Sequence, residues 1–457
     1  MPAKKIVCLG GGSLYFRRAI PDLLLSQDLG DSELVLYDID SEKVERMAAM
    51  GRRLAEVAGT RFKIRSTIDL ADAVDGADFA ISSIGGSGAE ITRNVYNSYF
   101  HNADIRIPEK YGISQVIGDT CGPAGMMMAL RSIPAYINIC QEMEKRCPKA
   151  TMFNHSNPMA TLLRAMHKYT DVNVIGICHG VQAGIVYAAE ILGVPPTELD
   201  CMWVGTNHYF WFTRVLHKGE DLYPELMRRV AERQAPEGRV LSARLSQIYG
   251  YHIVYPSDDH IIEFYPFLTQ VQGGPKNLPY GMYESLLGHG YETGKPTAAP
   301  AEPEIRAEFF KEYQALLDEI QLPDAQDNSI TGEGIASLIS AIANGRREIY
   351  IVNVANQGAI ANLPATAEVE LEGVTDSGGV RAIQMGEVPP VLKGILEKRF
   401  VWHELVADAA VKGDRNLALQ ALLIDEMAIL PDNAEAMLDE LLLASKELLP
   451  QFFSRAH

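Results

Sequence analysis

The chain is poor in the features that mark secreted, membrane-bound or nucleic-acid-binding proteins. Its 457 residues hold six cysteines, Cys8, Cys121, Cys140, Cys147, Cys178 and Cys201, with no paired CxxC spacing. So sparse a set argues against a disulfide framework and fits a reducing compartment. No apolar run is long enough for a signal peptide or a membrane span, and Met1-Pro2-Ala3-Lys4-Lys5 leads straight into a strand pattern, so a cytoplasmic protein is expected. Basic residues are in deficit: 41 Lys and Arg stand against 59 Asp and Glu, a formal net charge of -18. That balance disfavours nucleic acid or an anionic membrane as the main partner, while local basic side chains leave room for a small acidic substrate. No internal repeat or low-complexity tract is present. With 47% hydrophobic and 22% charged residues the composition is globular, and the length calls for two or three domains rather than one core.

What is present begins with Lys5-Ile6-Val7-Cys8-Leu9, an apolar run closed by Gly10-Gly11-Gly12-Ser13 and followed through Leu14 and Tyr15 by a helical pattern to Leu25. Strand, glycine turn and helix start together offer unpaired backbone N–H groups to a pyrophosphate. Tyr15 stands where a GxGxxG fingerprint has its third glycine, so the assignment rests on context. A second strand, Glu33 to Tyr37, ends in Asp38, placed where a carboxylate accepts bonds from ribose hydroxyls and repels a 2'-phosphate; NAD is preferred over NADP. Strand and helix patterns then alternate, and the loop opening at Ser83, Ile84 and Gly85 and running to Gly88 is expected on the nicotinamide side. This alternation implies a parallel sheet with ligands at the carboxyl ends of its strands.

Residues 107 to 125 form a turn-rich loop before a helical run from Met126 to Lys145, with Asp119 its polar candidate. The strand Ala150 to Phe153 ends in Asn154-His155-Ser156-Asn157-Pro158, whose asparagines read either as caps or as ligands of a cofactor or sugar. A further strand, Val172 to Ile177, delivers Cys178 and His179, and Asn207 and His208 follow a helix and another apolar run. Thiolate and imidazole are both good ligands for a divalent transition metal, and strands ending on one side of a sheet could unite Cys178 with His208. Tyr249 and Tyr251 read as core or base. Asp258, Asp259, His260 and Glu263 read equally as functional or as a solvated helix start. The stretch 271–303 reads as a long surface excursion, 349–354 and 366–371 as strands, and 391–449 as amphipathic helix serving as scaffold and subunit contact.

Gly10 to Ser13, Gly118-Asp119-Thr120-Cys121-Gly122-Pro123, Asn154 to Pro158, Cys178-His179-Gly180-Val181, Asn207-His208, Asp259-His260 to Glu263-Phe264, and Val352 to Gly358 before Asn362-Leu363-Pro364 occur in that order. In these seven segments the chain resembles glycoside hydrolase family 4, the NAD- and divalent-metal-dependent glycosidases, over nearly its whole length. The resemblance implies an α/β fold, with a Rossmann-type doubly wound parallel sheet in residues 1–200 and a mixed α+β domain in 201–457 that binds substrate, completes the metal site and carries oligomer contacts, as a homodimer or homotetramer. It implies that NAD takes hydride from C3 of the terminal sugar, that a tyrosine removes the C2 proton, that the aglycone is eliminated and water added, and that returning hydride restores C3. The two-carboxylate scheme does not apply. Cys178 and His208 would hold the metal, Mn by family expectation. Tyr249 or Tyr251 would be the base, and Asp119 and His179 would assist. Asn157, His179, Asn207 and His260 would face substrate, and Gly10, Gly11, Gly12, Ser13, Leu14, Tyr15, Asp38, Ser83, Gly85 and Asn154 the dinucleotide. The Cys178-His179 pair is similar to forms acting on unphosphorylated α-glycosides, and Gly118-Asp119-Thr120 to the α-galacturonidase branch, so an α-linked acidic, uronate-type sugar is expected. Neutral α-galactosides or α-glucosides, or sulfoquinovosides, are the alternative, and a plain NAD-dependent sugar or hydroxy-acid dehydrogenase is the rival of another class.

Overall fold

Six short apolar segments, each closed by a turn, make the parallel core of a sheet: Lys5–Leu9 (β1), Glu33–Tyr37 (β2), Lys63–Thr67 (β3), Phe79–Ser82 (β4), Thr151–Asn154 (β5) and Asn173–Gly176 (β6). Their spatial order is 3-2-1-4-5-6, with helices between successive strands, the doubly wound arrangement expected from the alternation. The chain is described by a computed structural model covering residues 3–85, 98–232, 239–254, 257–291, 303–322, 334–425 and 429–453. Strands β1, β4, β5 and β6 are buried almost throughout, which is why they read as apolar runs rather than as alternating patterns. Among the described residues, no helix is long and apolar enough to cross a membrane.

A second sheet is antiparallel, built from Leu199–Thr206 (β7), Tyr209–His217 (β8), Glu220–Asp221 (β9) and His252–Ile253 (β10). β7 and β8 form a hairpin whose two-residue tip is Asn207-His208. Three strands from beyond residue 200 nevertheless join the first sheet. Ile349–Ala355 (β11), Glu368–Asp376 (β12) and Gly379–Ala382 (β13) return to the first sheet, where Asn353 of β11 pairs antiparallel with Gly176 of β6. Left uncovered, β6 would be a sheet edge open to pairing with another chain, and β11 lies along it. The sheets are further tied by the Trp203 indole, which donates to the Glu370 carbonyl at 2.8 Å.

Several expectations shift in detail. The long helix begins at Gly122 rather than Met126, with Pro123 in its first turn, where a missing N–H costs nothing. Two helices follow β9, Tyr223–Glu232 and Val240–Tyr249. The excursion 271–303 contains the helix Met282–Gly288, and its segment 292–302 lies outside the described residues, as do residues 86–88 of the loop expected beside the nicotinamide.

One ion pair bridges early and late parts of the chain. His167, on the helix Met159–Tyr169, has Nδ1 2.9 Å from Glu368 of β12 and Nε2 2.9 Å from the Val174 carbonyl. Burial opposes its charge, but Glu368 and that carbonyl outweigh burial and raise the imidazole above its ordinary value of 6.5. A group raised on folding stabilises fully below its unfolded pKa and loses that contribution as pH rises through the folded one. His167→Gln is therefore expected to cost about 1–2 kcal/mol at about pH 5.5 and clearly less at about pH 9, measured by denaturant melts; equal losses would show that the contact acts only as neutral hydrogen bonds.

Candidate active site

The turn after β1 is shaped by close approach. Gly10 has φ +75°, and a Cβ there would lie 2.3 Å from the Ser83 carbonyl oxygen; one on Gly12 would lie 2.6 Å from Lys43 Cβ. Only glycine fits either position without displacing backbone or a buried neighbour. Asp38 at the end of β2 accepts from the Gly12 N–H at 2.9 Å and the Asp40 N–H at 3.0 Å, so its carboxylate is anchored where β1 and β2 end. Ser13 and Ser83 hydroxyls meet at 3.0 Å across the β1–β4 switch point. From here a cavity of about 650 Å³ runs along the carboxyl edge of the sheet, lined at one end by Gly10, Gly12, Ser13, Leu14 and Asp38, in the middle by Ser83 and Gly85, and at the far end by Asp119 and Asn157. Its size and its place at a topological switch point suit a dinucleotide.

Three residues proposed for the cofactor do not line this cavity. Gly11 packs its Cα against Leu36 and donates its N–H to the Tyr37 carbonyl at 2.7 Å. Tyr15 turns its hydroxyl to His155 Nε2 at 3.0 Å. Asn154 is fully buried, and its amide accepts from Ser82, Tyr136 and the Ser156 N–H while donating to the Ser156 carbonyl. It shapes the turn that presents Asn157. Asn157 is not the cap of the helix after it, whose N-cap position is held by Pro158; its amide donates to Asp119 Oδ2 at 2.8 Å.

At the end of the cavity Asp119, His208 and His260 bring one donor atom each within 4.8 Å of one another. Residues from three distant parts of the chain meet there, and the linkage between them fixes their chemistry. The Thr120 hydroxyl donates to Asp119 Oδ1 at 2.6 Å and lies 3.0 Å from His208 Nδ1. A hydroxyl has one proton, so if it serves the carboxylate it must accept from Nδ1–H, which puts the lone pair of the His208 imidazole on Nε2. Burial holds His208 down at about 3, aided by His260 and His179, so its imidazole is neutral. His260 Nδ1 faces Asp259 Oδ1 at 3.0 Å, the carboxylate–histidine arrangement that orients ligating imidazoles. Asp259 also takes a bond from His289 Nε2 at 2.8 Å. Burial would raise the Asp119 carboxyl, but His208, His260 and the bonds from Thr120 and Asn157 bring it below its ordinary value. One carboxylate oxygen and two imidazole nitrogens in a buried corner form a donor set that suits a divalent transition metal.

The two halves of the expected metal pair differ in placement. His208 belongs to this donor set, at the hairpin tip with φ +63°, a left-handed backbone unusual for a non-glycine residue. Cys178 lies buried just beyond β6 on the same edge of the sheet, and the set of three converging donors does not include it. His179 is exposed at the start of the helix Gly180–Leu192. Asn207 does not open onto the cavity: it is buried and faces the Glu370 carboxyl, as does Asn353, and burial pushes Glu370 up to about 8. Tyr249 ends its helix with its ring 6.0 Å from that of Tyr265, and burial raises its phenol; Tyr251 follows two residues later before β10.

Sequence reasoning undervalued the segment 258–263. It is not a solvated helix start, for Asp258 is fully buried and caps Leu241 and Ser242, while Glu263 accepts from the N–H groups of Val116, Ile117 and Gly118 at 2.7 Å each. Burial and the neighbouring Asp119 push Glu263 up to about 8 against those bonds. Its role is to hold the loop that delivers Asp119. Thr120 was also missed, since its function follows from two partners that are distant or unremarkable in sequence.

Geometry of this kind has relatives. The profile described as Family 4 glycosyl hydrolase matches residues 5–194, and that of the Family 4 glycosyl hydrolase C-terminal domain matches residues 203–428. The chain belongs to glycosyl hydrolase family 4. This family 4 chain is 28% identical over 454 residues to an alpha-galactosidase of Bacillus subtilis (strain 168), covering 98% of this chain and 100% of that one. It is 27% identical over 483 residues to an alpha-galacturonidase of Lachnoclostridium phytofermentans, covering 98% and 97%. In fold it is similar, with a TM-score of 0.76 and 24% identity over 98% of this chain and 99% of the other, to a 6-phospho-alpha-glucosidase from gut microorganisms solved in complex with NAD and Mn2+. As a family 4 member the chain is a glycosidase.

Thr120→Val, which keeps the side-chain shape but removes the hydroxyl between Asp119 and His208, is expected to weaken Mn2+ binding about 10–100-fold. Electron paramagnetic resonance titration of the dinucleotide-free protein measures it, and unchanged Mn2+ affinity would remove Thr120 from the site.

Proposed function

We propose that the chain cleaves α-linked glycosides of a small acidic, uronate-type sugar with bound NAD and a divalent metal, of which Mn is the expected one. The observation that carries the reading is the continuity of one cavity from the glycine turn to Asp119 and Asn157, so that a dinucleotide and a cluster of metal donors share a wall. Bound NAD would supply a reversible hydride acceptor for C3 of the sugar, and the metal would polarise the O2 and O3 oxygens, making the C2 proton acidic enough for elimination of the aglycone, water addition and return of the hydride. Asp119, His208 and His260 would hold the metal, joined by Cys178 from the end of β6. Asn157 would orient the sugar and keep Asp119 aimed. Tyr249 or Tyr251 would remove the C2 proton, which requires its phenol to be lowered by the charge beside it when the site is filled.

For the sugar, the Cys178-His179 pair and Gly118-Asp119-Thr120 favour an unphosphorylated uronide, and the galacturonidase relative acts in the same direction. A neutral α-galactoside is the second reading, favoured by the galactosidase relative of nearly equal identity. Aryl uronides, galactosides, glucosides and sulfoquinovosides incubated with NAD, Mn2+ and thiol in deuterated water separate these readings. Released phenol with deuterium at C2 and no accumulating NADH is expected, fastest on the uronide. Net NADH without phenol would make the protein a dehydrogenase.

Cys178→Ser is expected to abolish Mn-stimulated turnover while NAD binding, followed by calorimetry, is retained. Full turnover in that variant would take Cys178 out of the metal assignment. Of Tyr249→Phe and Tyr251→Phe, the one that loses C2 exchange identifies the base.

A further inference from the structure

The helix Pro303–Asp318 lies some 300 residues beyond the glycine turn, yet it forms part of the same cavity wall. Phe309 and Tyr313 line the cavity beside Asp38, Ile39 and Lys43. Tyr313 is fully buried, and its hydroxyl donates to the Gly12 carbonyl at 2.7 Å, with the Lys43 carbonyl at 3.3 Å. Phe309 packs against the Tyr313 ring at 5.4 Å, and Lys43 Nζ lies 5.4 Å from the Phe309 ring centroid. The helix is fastened to the helix Ser41–Ala58 by several independent contacts. Arg306 bonds Asp40 at 3.1 Å, and Arg46 bonds Gln314 at 2.9 Å. Arg53 donates to the Leu317 and Ile320 carbonyls at 3.0 and 3.1 Å. The Phe310 ring carries the Arg46 and Arg306 guanidiniums at 4.9 and 4.8 Å.

We propose that this helix is the wall of the adenosine subsite, with Phe309 and the exposed Ile39 flanking the adenine and Tyr313 locking the glycine turn on which the pyrophosphate rests. The inference rests on the proposed use of NAD, and it assigns half of that ligand's site to residues far outside the N-terminal strand–turn–helix unit. In a doubly wound sheet the adenosine ribose lies at the acidic residue ending β2, and here Asp38 lines the cavity together with Ile39, Lys43, Phe309 and Tyr313. An aromatic ring there offers a flat apolar face to a purine, and Tyr313 holds the Gly12 carbonyl without occupying the N–H groups that face a phosphate. The nicotinamide would lie toward Asp119 and Asn157, which line the same cavity.

The test titrates the full chain with NAD+, ADP-ribose and nicotinamide mononucleotide by calorimetry. Phe309→Ala is expected to weaken NAD+ and ADP-ribose by a similar factor of about tenfold or more, and to leave nicotinamide mononucleotide unchanged. Phe309→Leu, which preserves apolar packing, should fall between wild type and Ala, and Tyr313→Phe should speed dissociation of NAD+ in stopped flow. ADP-ribose affinity unchanged in Phe309→Ala would overturn the proposal. Tighter binding would overturn it too, by showing that the ring fills the subsite rather than walling it. Wild-type protein that binds neither NAD+ nor ADP-ribose would instead defeat the cofactor reading on which the inference stands.

Discussion

A carboxylate and two imidazoles placed together out of water must each be given partners or the corner would unfold it. Here the partners form a chain. Glu263 gathers three backbone N–H groups and fixes the loop bearing Asp119; Thr120 joins Asp119 to His208; Asn157 donates to the second Asp119 oxygen; Asp259 accepts from His260 Nδ1. Of the three converging donors, Asp119 lines the cavity itself, and these bonds fix where it stands. The site is thus preorganised by the same bonds that make its burial tolerable.

That arrangement depends on the parallel sheet, because only the carboxyl ends of neighbouring strands bring the glycine turn, the Ser83 loop, the Asn157 turn and Cys178 to one edge. The antiparallel hairpin supplies what the sheet cannot, a tight tip that carries His208 in from the other side. His208 pays in backbone strain for its position, a cost usually met at functional positions where surrounding structure holds the residue in place. The late strands β11 to β13 extend the sheet beyond β6, and the 303–318 helix lines the cavity with Phe309 and Tyr313. Cavity and donor corner are therefore both composite: the first joins residues 10–43 to Phe309 and Tyr313, the second joins Asp119 to His208 and His260.

Much of this could be read from residues. The doubly wound sheet, the glycine turn, Asp38 and the family were legible because each rests on local signals: apolar runs of strand length, glycines where no Cβ fits, and an acid at a strand end. His208 and Asp119 were legible as polar residues in motifs. The role of Asn154 was misread, since an asparagine looks the same in sequence whether its amide faces a ligand or closes a buried turn. Glu263, Asp258 and Asp259 were left undecided for a similar reason: an acidic helix start is solvated or buried according to what packs over it.

The sequence by itself determined the class of protein, the alternation of its core strands with helices and the chemistry on offer at the strand ends, because periodicity, turn residues and spacing act within a few residues. Tertiary structure alone decided which of those groups meet. It placed His260 beside Asp119 and His208, turned the Tyr15 hydroxyl to His155, carried residues 349–382 back into the first sheet and set Tyr313 against the glycine turn. These are contacts across 50 to 300 residues, and they are settled by how elements pack and by which buried polar atoms still need partners, quantities that no local stretch of chain contains.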